Sequence, residues 1–271
     1  YIINQYILPY FKEIDLEQLV RYDFNLYVEK LLKNLSPTSA KNTLGILKSI
    51  LNFAQRKYGY RFNFDFIAIP KTHTKELRVL SQREKNKLEK YCEKNNTLRD
   101  IGILICLNTG LRIGEICALK WNCIDLDKHC IKVQKTMQRI YNKNAKKSEV
   151  IIDIPKTQKS IRTIPISTKL YNILKPLKKN FSKNCYFLTG SEYSYIEPRN
   201  YQYMFKKCLK KCKINDFHFH QLRHTFATDC INVGMDTKSL SEILGHATVK
   251  VTLDKYVHSS FNSKKKYLEK I

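Results

Sequence analysis

The sequence predicts a two-domain protein, mainly α, with a small antiparallel β-sheet set among the helices of the second domain. Three observations carry that prediction. Apolar residues recur at helical spacing through most of the chain outside residues 130–166. Between those limits, from Cys130 to Ile166, the pattern alternates as in half-buried strands. A polar, basic segment, Lys71-Thr-His-Thr-Lys-Glu-Leu-Arg78, follows Ile69-Pro70 and has the composition of a linker.

Residues 1–70 read as a small helical bundle. Ser36 stands where an N-cap is needed, Pro37 takes the first helical position, and Leu44, Leu47, Leu51, Ala54 and Tyr58 follow at helical spacing until Gly59. Residues 71–79 form the linker, suited to crossing a phosphate backbone, and residues 80–271 the second domain. There Ser81-Gln-Arg-Glu84 matches a capping box opening a helix through about Asn95. Leu98 to Asn108 is a more apolar and so more buried helix, ended by Thr109-Gly110. Ile131, Val133, Lys135 and Met137 alternate, then Val150-Ile-Ile-Asp-Ile154, then Ile161, Thr163 and Ile164-Pro-Ile166, which together predict one antiparallel sheet. Helical patterns resume at Ser167–Leu177, Tyr201–Cys212, Leu222–Val233 and Thr237–Leu244, the last two closed by Gly234 and Gly245. The chain opens at Tyr1 inside a helical pattern, which predicts a further segment ahead of it.

Composition narrows the function classes. Lys plus Arg number 49 against 24 Asp plus Glu, a net charge of +25 that points to a polyanionic partner, nucleic acid before an anionic membrane surface. Residues 1–70 hold nine Lys/Arg and six Asp/Glu, so most of the excess lies beyond them. A hydrophobic fraction of 43% with 11% aromatic residues is that of a folded protein. The longest apolar run, Ile101 to Leu107, is far short of the roughly 20 residues a membrane helix needs, and no secretory leader opens the chain. Nine cysteines without matched spacings read as reduced thiols of a cytoplasmic protein. Cys208, Cys212, His218 and His220 come nearest to a zinc set, but two cysteines four apart on a lysine-studded helix read as a core face, so no metal is expected.

One set of residues points to chemistry. Attack on a phosphodiester builds negative charge on its equatorial oxygens, and guanidinium forks suit those oxygens because they bond bidentately and stay charged. Arg112 lies in Thr109-Gly-Leu-Arg-Ile-Gly-Glu115, where a glycine turn leads into a helix start. Arg223 is three residues after His220, so both point to the same side of a helix. His246 follows Leu244-Gly at a helix–helix turn, and ten residues later Tyr256 is placed by an intervening helix. A tyrosine hydroxyl, with a pKa of about 10, becomes a good nucleophile only beside cationic or basic groups. Each residue alone has an ordinary reading as a surface, salt-bridge or packing group; their occurrence together in this order is the signal. Lys156 sits in Pro155-Lys-Thr-Gln-Lys159-Ser-Ile-Arg162-Thr-Ile-Pro165, a lysine-bearing hairpin. His218 and His224 match no part of the set and read as packing or DNA-contact residues.

This order of elements resembles the tyrosine recombinases, or phage-type integrases, over essentially the whole chain. That family shows an Arg in T-G-L-R-x-x-E, a hairpin Lys, H-x-L-R, L-G-H and then the nucleophilic Tyr. The resemblance implies a helical core-binding domain, a mixed α/β catalytic domain and a catalytic set of Arg112, Lys156, His220, Arg223, His246 and Tyr256, with Lys159 the alternative lysine. It implies that Tyr256 attacks the scissile phosphate to give a 3′-phosphotyrosine, with no cofactor, metal or ATP. Double-stranded DNA is the implied partner, enclosed by both domains, with a homotetramer on two DNA sites and a directionality factor as a further candidate. Glu115 resembles the family's acidic support for the arginines, and a plain helix-face carboxylate remains the other reading. The run Lys264-Lys-Lys266 reads as a solvated basic face, while the family suggests a C-terminal tail docking on a neighbouring protomer through Leu268 and Ile271. The K-T-x-x-S-x-R-x-I-P hairpin is similar to those of integrases of conjugative transposons and phages, which integrate and excise a mobile element. Two alternatives stay open. A type IB-like topoisomerase shares the tyrosine chemistry but lacks reason for the Leu-Gly-His motif and docking tail, and a non-catalytic DNA-binding regulator leaves the constellation unexplained.

Overall fold

Side-chain caps and terminal glycines set the helix ends. The computed structural model of the chain describes residues 1–63, 78–142, 146–155 and 160–256. Most of the 71–79 linker, the hairpin lysines Lys156 and Lys159, the run Lys264-Lys-Lys266 and the tail residues Leu268 and Ile271 lie outside the described residues. The chain divides into two units, Tyr1–Glu76 and Leu77–Ile271.

In the first unit a π-helical turn at Ile3–Ile7 runs into α1 (Leu8–Phe11), followed by α2 (Leu16–Val20), α3 (Phe24–Asn34) and α4 (Pro37–Tyr58). The Ser36 hydroxyl accepts the Ser39 N–H, Pro37 opens α4, and Gly59 closes it in the left-handed region at φ +78°. The apolar stripe of α4, Leu44, Leu47 and Leu51, buries against Phe11, Phe24, Tyr27 and Leu31. Tyr27, inside this core, donates its hydroxyl to the Tyr6 carbonyl at 2.5 Å.

The second unit is built on α5 (Gln82–Asn95), α6 (Leu98–Thr109) and α7 (Ile113–Ala118), then α8 (Thr168–Lys178), α9 (Pro198–Lys211), α10 (His220–Asn232), α11 (Thr237–Leu244) and α12 (Val249–Tyr256). The capping box at Ser81 and Glu84 forms as expected. Helix α6 is the central element, buried continuously from Ile101 to Leu107. That apolar run is therefore a core helix. Among the described residues no helix is long and apolar enough to cross a membrane.

Between α7 and α8 the strands form two sheets where one is expected. Strands β1 (Ile124–Asp125), β2 (Cys130–Val133) and β5 (Arg162–Pro165) make an antiparallel sheet in the order β1-β2-β5, with Ile131 opposite Ile164. Strands β3 (Thr136–Asn142) and β4 (Lys147–Asp153) make a separate hairpin with Thr136 opposite Asp153. The alternation runs on unbroken from Ile131 to Met137, but the backbone leaves one sheet for the other at the exposed pair Gln134-Lys135. The hairpin is held close to α7 at Gly114, where a Cβ would stand 2.6 Å from the Met137 carbonyl oxygen.

All nine cysteines are free thiols, and eight of them are buried. The thiols of Cys92 and Cys208 and the carboxylate of Asp100 lie within 4.8 Å of one another, where α5, α6 and α9 meet. Of the zinc-like set weighed from the sequence, only Cys208 belongs to this group.

Candidate active site

Five chain segments deliver the site, β5 with Arg162 among them. Helix α6 ends at Gly110, and two residues later Arg112 stands at the N-cap of α7. Helix α10 begins at His220 and carries Arg223 and His224 in its first turn and a half. Helix α11 is capped at its start by Asp236, which accepts the Ser239 N–H, and ends at Gly245, handing the chain to His246. Helix α12 brings Tyr256 back against α10 and α11, where it packs with Ala227, Cys230, Leu240 and Leu244.

Three guanidiniums converge on the end of α11. Arg162 Nε donates to the Ile243 carbonyl at 2.5 Å, Arg223 Nη2 to the Leu244 carbonyl at 2.6 Å and Arg112 Nη2 to the Gly245 carbonyl at 3.0 Å. The last carbonyls of a helix have no partner within it and form the negative end of its dipole, so cations there satisfy both needs. Arg223 is fixed a second time, donating Nη1 to the Gly110 carbonyl at 2.9 Å.

Glu115 ties two of these arginines together from behind. Its carboxylate is 3% exposed. Oε1 accepts from Arg112 Nη1 at 2.7 Å and Arg162 Nη1 at 2.9 Å, while Oε2 accepts from Arg162 Nη2 at 2.9 Å and the Arg112 backbone N–H at 2.8 Å. Burial alone would raise its pKa, but the Arg162 hydrogen bonds and the charges of Arg162 and Arg112 outweigh it and hold the carboxyl below its ordinary value. Burial, then the nearby Arg112 cation, pushes Arg223 down to about 9, which leaves it charged at neutral pH. Three cations to one carboxylate is a site that wants an anion.

Tyr256 is 7% exposed. Its hydroxyl lies 2.7 Å from His224 Nδ1, and its ring is parallel to that of His246, with centroids 6.3 Å apart. Desolvation raises its pKa, while Arg223 and Arg112 act in the opposite direction without cancelling it. His246 is oriented by Thr252, whose buried hydroxyl lies 2.7 Å from Nδ1. His220 is exposed, its ring perpendicular to that of His224 at 4.6 Å.

The structure thus gathers Arg112, His220, Arg223, His246 and Tyr256 around one spot, while Lys156 and its alternative Lys159 lie outside the described residues. Glu115 supports the arginines, which decides between its two readings. Two residues are missing from the sequence-derived set. Arg162 stands in the hairpin motif, yet nothing local announces that it reaches Ile243, 81 residues on. His224 is buried and bonded to Tyr256, which fits the packing side of its two readings but adds a contact with the tyrosine that neither foresaw; the available signal was its place one helical turn after His220.

A sequence model of the phage integrase family matches residues 78–263. A tyrosine recombinase XerC-like protein of Caldanaerobacter subterraneus is 29% identical over 243 residues, covering 78% of this chain and 62% of the relative. The transposase from transposon Tn916 of Enterococcus faecalis is 28% identical over 221 residues, 74% of this chain and 53% of the relative. The ICEBs1 integrase of Bacillus subtilis is 27% identical over 284 residues, 100% of this chain and 75% of the relative. The chain therefore spans between about half and three quarters of these curated relatives. Among solved structures, the Tn1549 transposon integrase in complex with a circular intermediate DNA superposes with a TM-score of 0.75 at 25% identity, covering 96% of this chain and 86% of that one.

Proposed function

The chain belongs to the phage integrase family of tyrosine recombinases, and from that membership we propose that it is a site-specific DNA recombinase that integrates and excises a mobile element. Strands are cut and rejoined through a 3′-phosphotyrosine on Tyr256. The observation that supports this reading most strongly is the seating of the Tyr256 hydroxyl within reach of the charges of Arg223 and Arg112, beside His246.

Tyr256 Oη attacks the scissile phosphorus, and Arg112, Arg223 and His246 stabilise the charge that develops on the equatorial oxygens. A guanidinium carries five N–H donors, and the bonds to Glu115 and Gly245 engage only part of Arg112's set, so donors remain for phosphate. Lys156 protonates the departing 5′-oxygen and His220 assists proton transfer. A partner strand's 5′-hydroxyl then attacks the phosphotyrosine and reverses the step. One phosphodiester is exchanged for a phosphotyrosine and back, so bond energy is kept and the chemistry calls for neither ATP nor a divalent metal. The working assembly is a homotetramer on two double-stranded sites in the cytoplasm, with a directionality factor as a further candidate partner.

The test uses nicked suicide duplexes built from the ends of the element, incubated with protein in EDTA and run on denaturing gels beside Tyr256→Phe. A covalent protein–DNA adduct that forms in wild type and is absent from the variant is the expected result. Tight, salt-sensitive binding with no adduct on any duplex would return the chain to the regulator reading.

A further inference from the structure

The family pattern leaves His224 without a role, and yet His224 is the residue whose side chain meets the Tyr256 hydroxyl at 2.7 Å. It lies on α10 directly after Arg223 and one turn after His220, 5% exposed, whereas His220 is exposed to solvent. A neutral imidazole offers one bare nitrogen as an acceptor, and a phenol hydroxyl has one proton to give. Two neighbours fix this contact. The edge of His220 packs perpendicular to the His224 ring, and Tyr256 itself is wedged among Ala227, Cys230, Leu240 and Leu244.

The nucleophile's proton needs a destination. Desolvation pushes the Tyr256 pKa upward despite Arg223 and Arg112, so at neutral pH the hydroxyl is protonated when the phosphate arrives. Arginine is cationic and has no lone pair to accept that proton, whereas the imidazole nitrogen His224 Nδ1 stands 2.7 Å from the hydroxyl that carries it.

We propose that His224 is a catalytic residue of this chain, the acceptor of the Tyr256 proton during strand cleavage. The inference rests on the tyrosine-nucleophile reading. As the Oη–phosphorus bond forms, the phenolic proton passes to His224 Nδ1, the bond from phosphorus to the 5′-oxygen breaks, and that oxygen takes its proton from the general acid. On rejoining, the incoming 5′-hydroxyl returns a proton to the acid, the phosphotyrosine bond breaks, and His224 gives its proton back to Tyr256. No proton, electron or co-reactant is left over.

The experiment measures single-turnover adduct formation on the nicked duplex, alongside DNA affinity by anisotropy, for wild type, His224→Ala and His224→Asn. The Asn Oδ1 can accept a hydrogen bond where Nδ1 does, but it cannot hold a proton, so it separates seating from proton transfer. Both variants are expected to bind DNA within about threefold of wild type and to cleave on the order of 10²-fold more slowly, the usual size of general-base effects. Each is also run on a duplex with a 5′-bridging sulfur, a leaving group that needs no proton. Slowness that persists on that duplex places the defect at the tyrosine. Recovery of His224→Ala on it would put His224 on the leaving group and overturn the proposal. Recovery of His224→Asn on the ordinary duplex, to within about threefold of wild type, would reduce His224 to a seat and overturn it equally. Absence of any wild-type adduct would overturn the tyrosine-nucleophile reading itself, and the inference with it.

Discussion

Glu115 shows how one carboxylate can organise a cationic site. Arg112, Arg162 and Arg223 are drawn to the end of α11, and without a counter-charge their mutual repulsion would oppose that convergence. Glu115 answers two of them with both oxygens and leaves a net excess of positive charge at the end of α11. Removing one partner of a buried pair strands the others, so Glu115→Gln is expected to destabilise the second unit by about 3–5 kcal/mol at neutral pH, read by urea unfolding. The pH dependence carries a definite sign. Because the folded carboxyl lies below its ordinary value, its contribution is fully present above an unfolded-state pKa of about 4.3 and is lost as pH falls through the folded value. Wild type should therefore lose stability on acidification that Glu115→Gln does not lose. Parallel acid profiles in the two proteins would show that the carboxylate is not the group responsible. Of these residues the sequence marks Arg112 and Arg223 through their motifs and leaves Glu115 between two readings. Arg162 is illegible there, since its acceptor is fixed only when β5 and α11 meet.

At the scale of elements, the site depends on how chain segments end more than on what they contain. Gly110 closes α6 at φ +66°, gives its carbonyl to Arg223, and has no room for a Cβ, which would stand 2.7 Å from both Leu244 Cδ2 and Phe226 Cδ1. Gly59 closes α4 at φ +78° with nothing within 4 Å of the same position. The two glycines separate backbone strain from displacement of the arginine. Gly59→Ala should cost about 1–2 kcal/mol, the price of a left-handed alanine, and leave cleavage unchanged. Gly110→Ala carries that cost and also pushes α11 and α10 apart, so adduct formation should fall at least tenfold while DNA affinity changes little. Equal cleavage rates in the two variants would mean that Arg223 tolerates a shifted acceptor. Helix ends of this kind are legible: Ser36-Pro37, Ser81 with Glu84, Gly110 and Gly245 all mark ends that the structure has, because caps are local chemistry. The strands are less so. Period-two alternation says which face is buried but not which strand is paired, and a run continuous from Ile131 to Met137 serves two sheets.

Over the whole molecule, the two units differ in charge and in how far they declare themselves. The family model begins at residue 78, so residues 1–77 lie outside it, and their likeness to integrases is carried by the ICEBs1 integrase, which matches across 100% of the chain, and by the Tn1549 integrase structure across 96%. This division follows from what each unit must encode. The second unit holds the motif arginines Arg112 and Arg223 in local patterns that a sequence model can detect, whereas a helical bundle needs only an apolar stripe and caps, which many sequences satisfy. The charge is a property of the whole chain. Of the net +25, most lies beyond residue 70, and α9 illustrates its disposition: Tyr201, Phe205, Cys208 and Leu209 are buried while Lys206, Lys207, Lys210 and Lys211 face solvent. Binding driven by such residues releases condensed counterions, with log Kobs falling by about 0.9 per phosphate neutralised for each unit of log salt. For the proposed recombinase we expect a slope of about −5 or steeper, hence a loss of affinity on the order of 10³-fold between 50 and 200 mM salt. The cleavage step at saturating DNA should barely respond, because the arginines proposed to act on the reacting phosphate are already fixed to Glu115 and to backbone carbonyls in the free protein. Titrations at four salt concentrations, with single-turnover cleavage measured at each, separate the two quantities. A slope shallower than about −2 would mean that few of these lysines reach the duplex, and a cleavage rate falling in step with affinity would mean that the site is assembled by DNA and not before it.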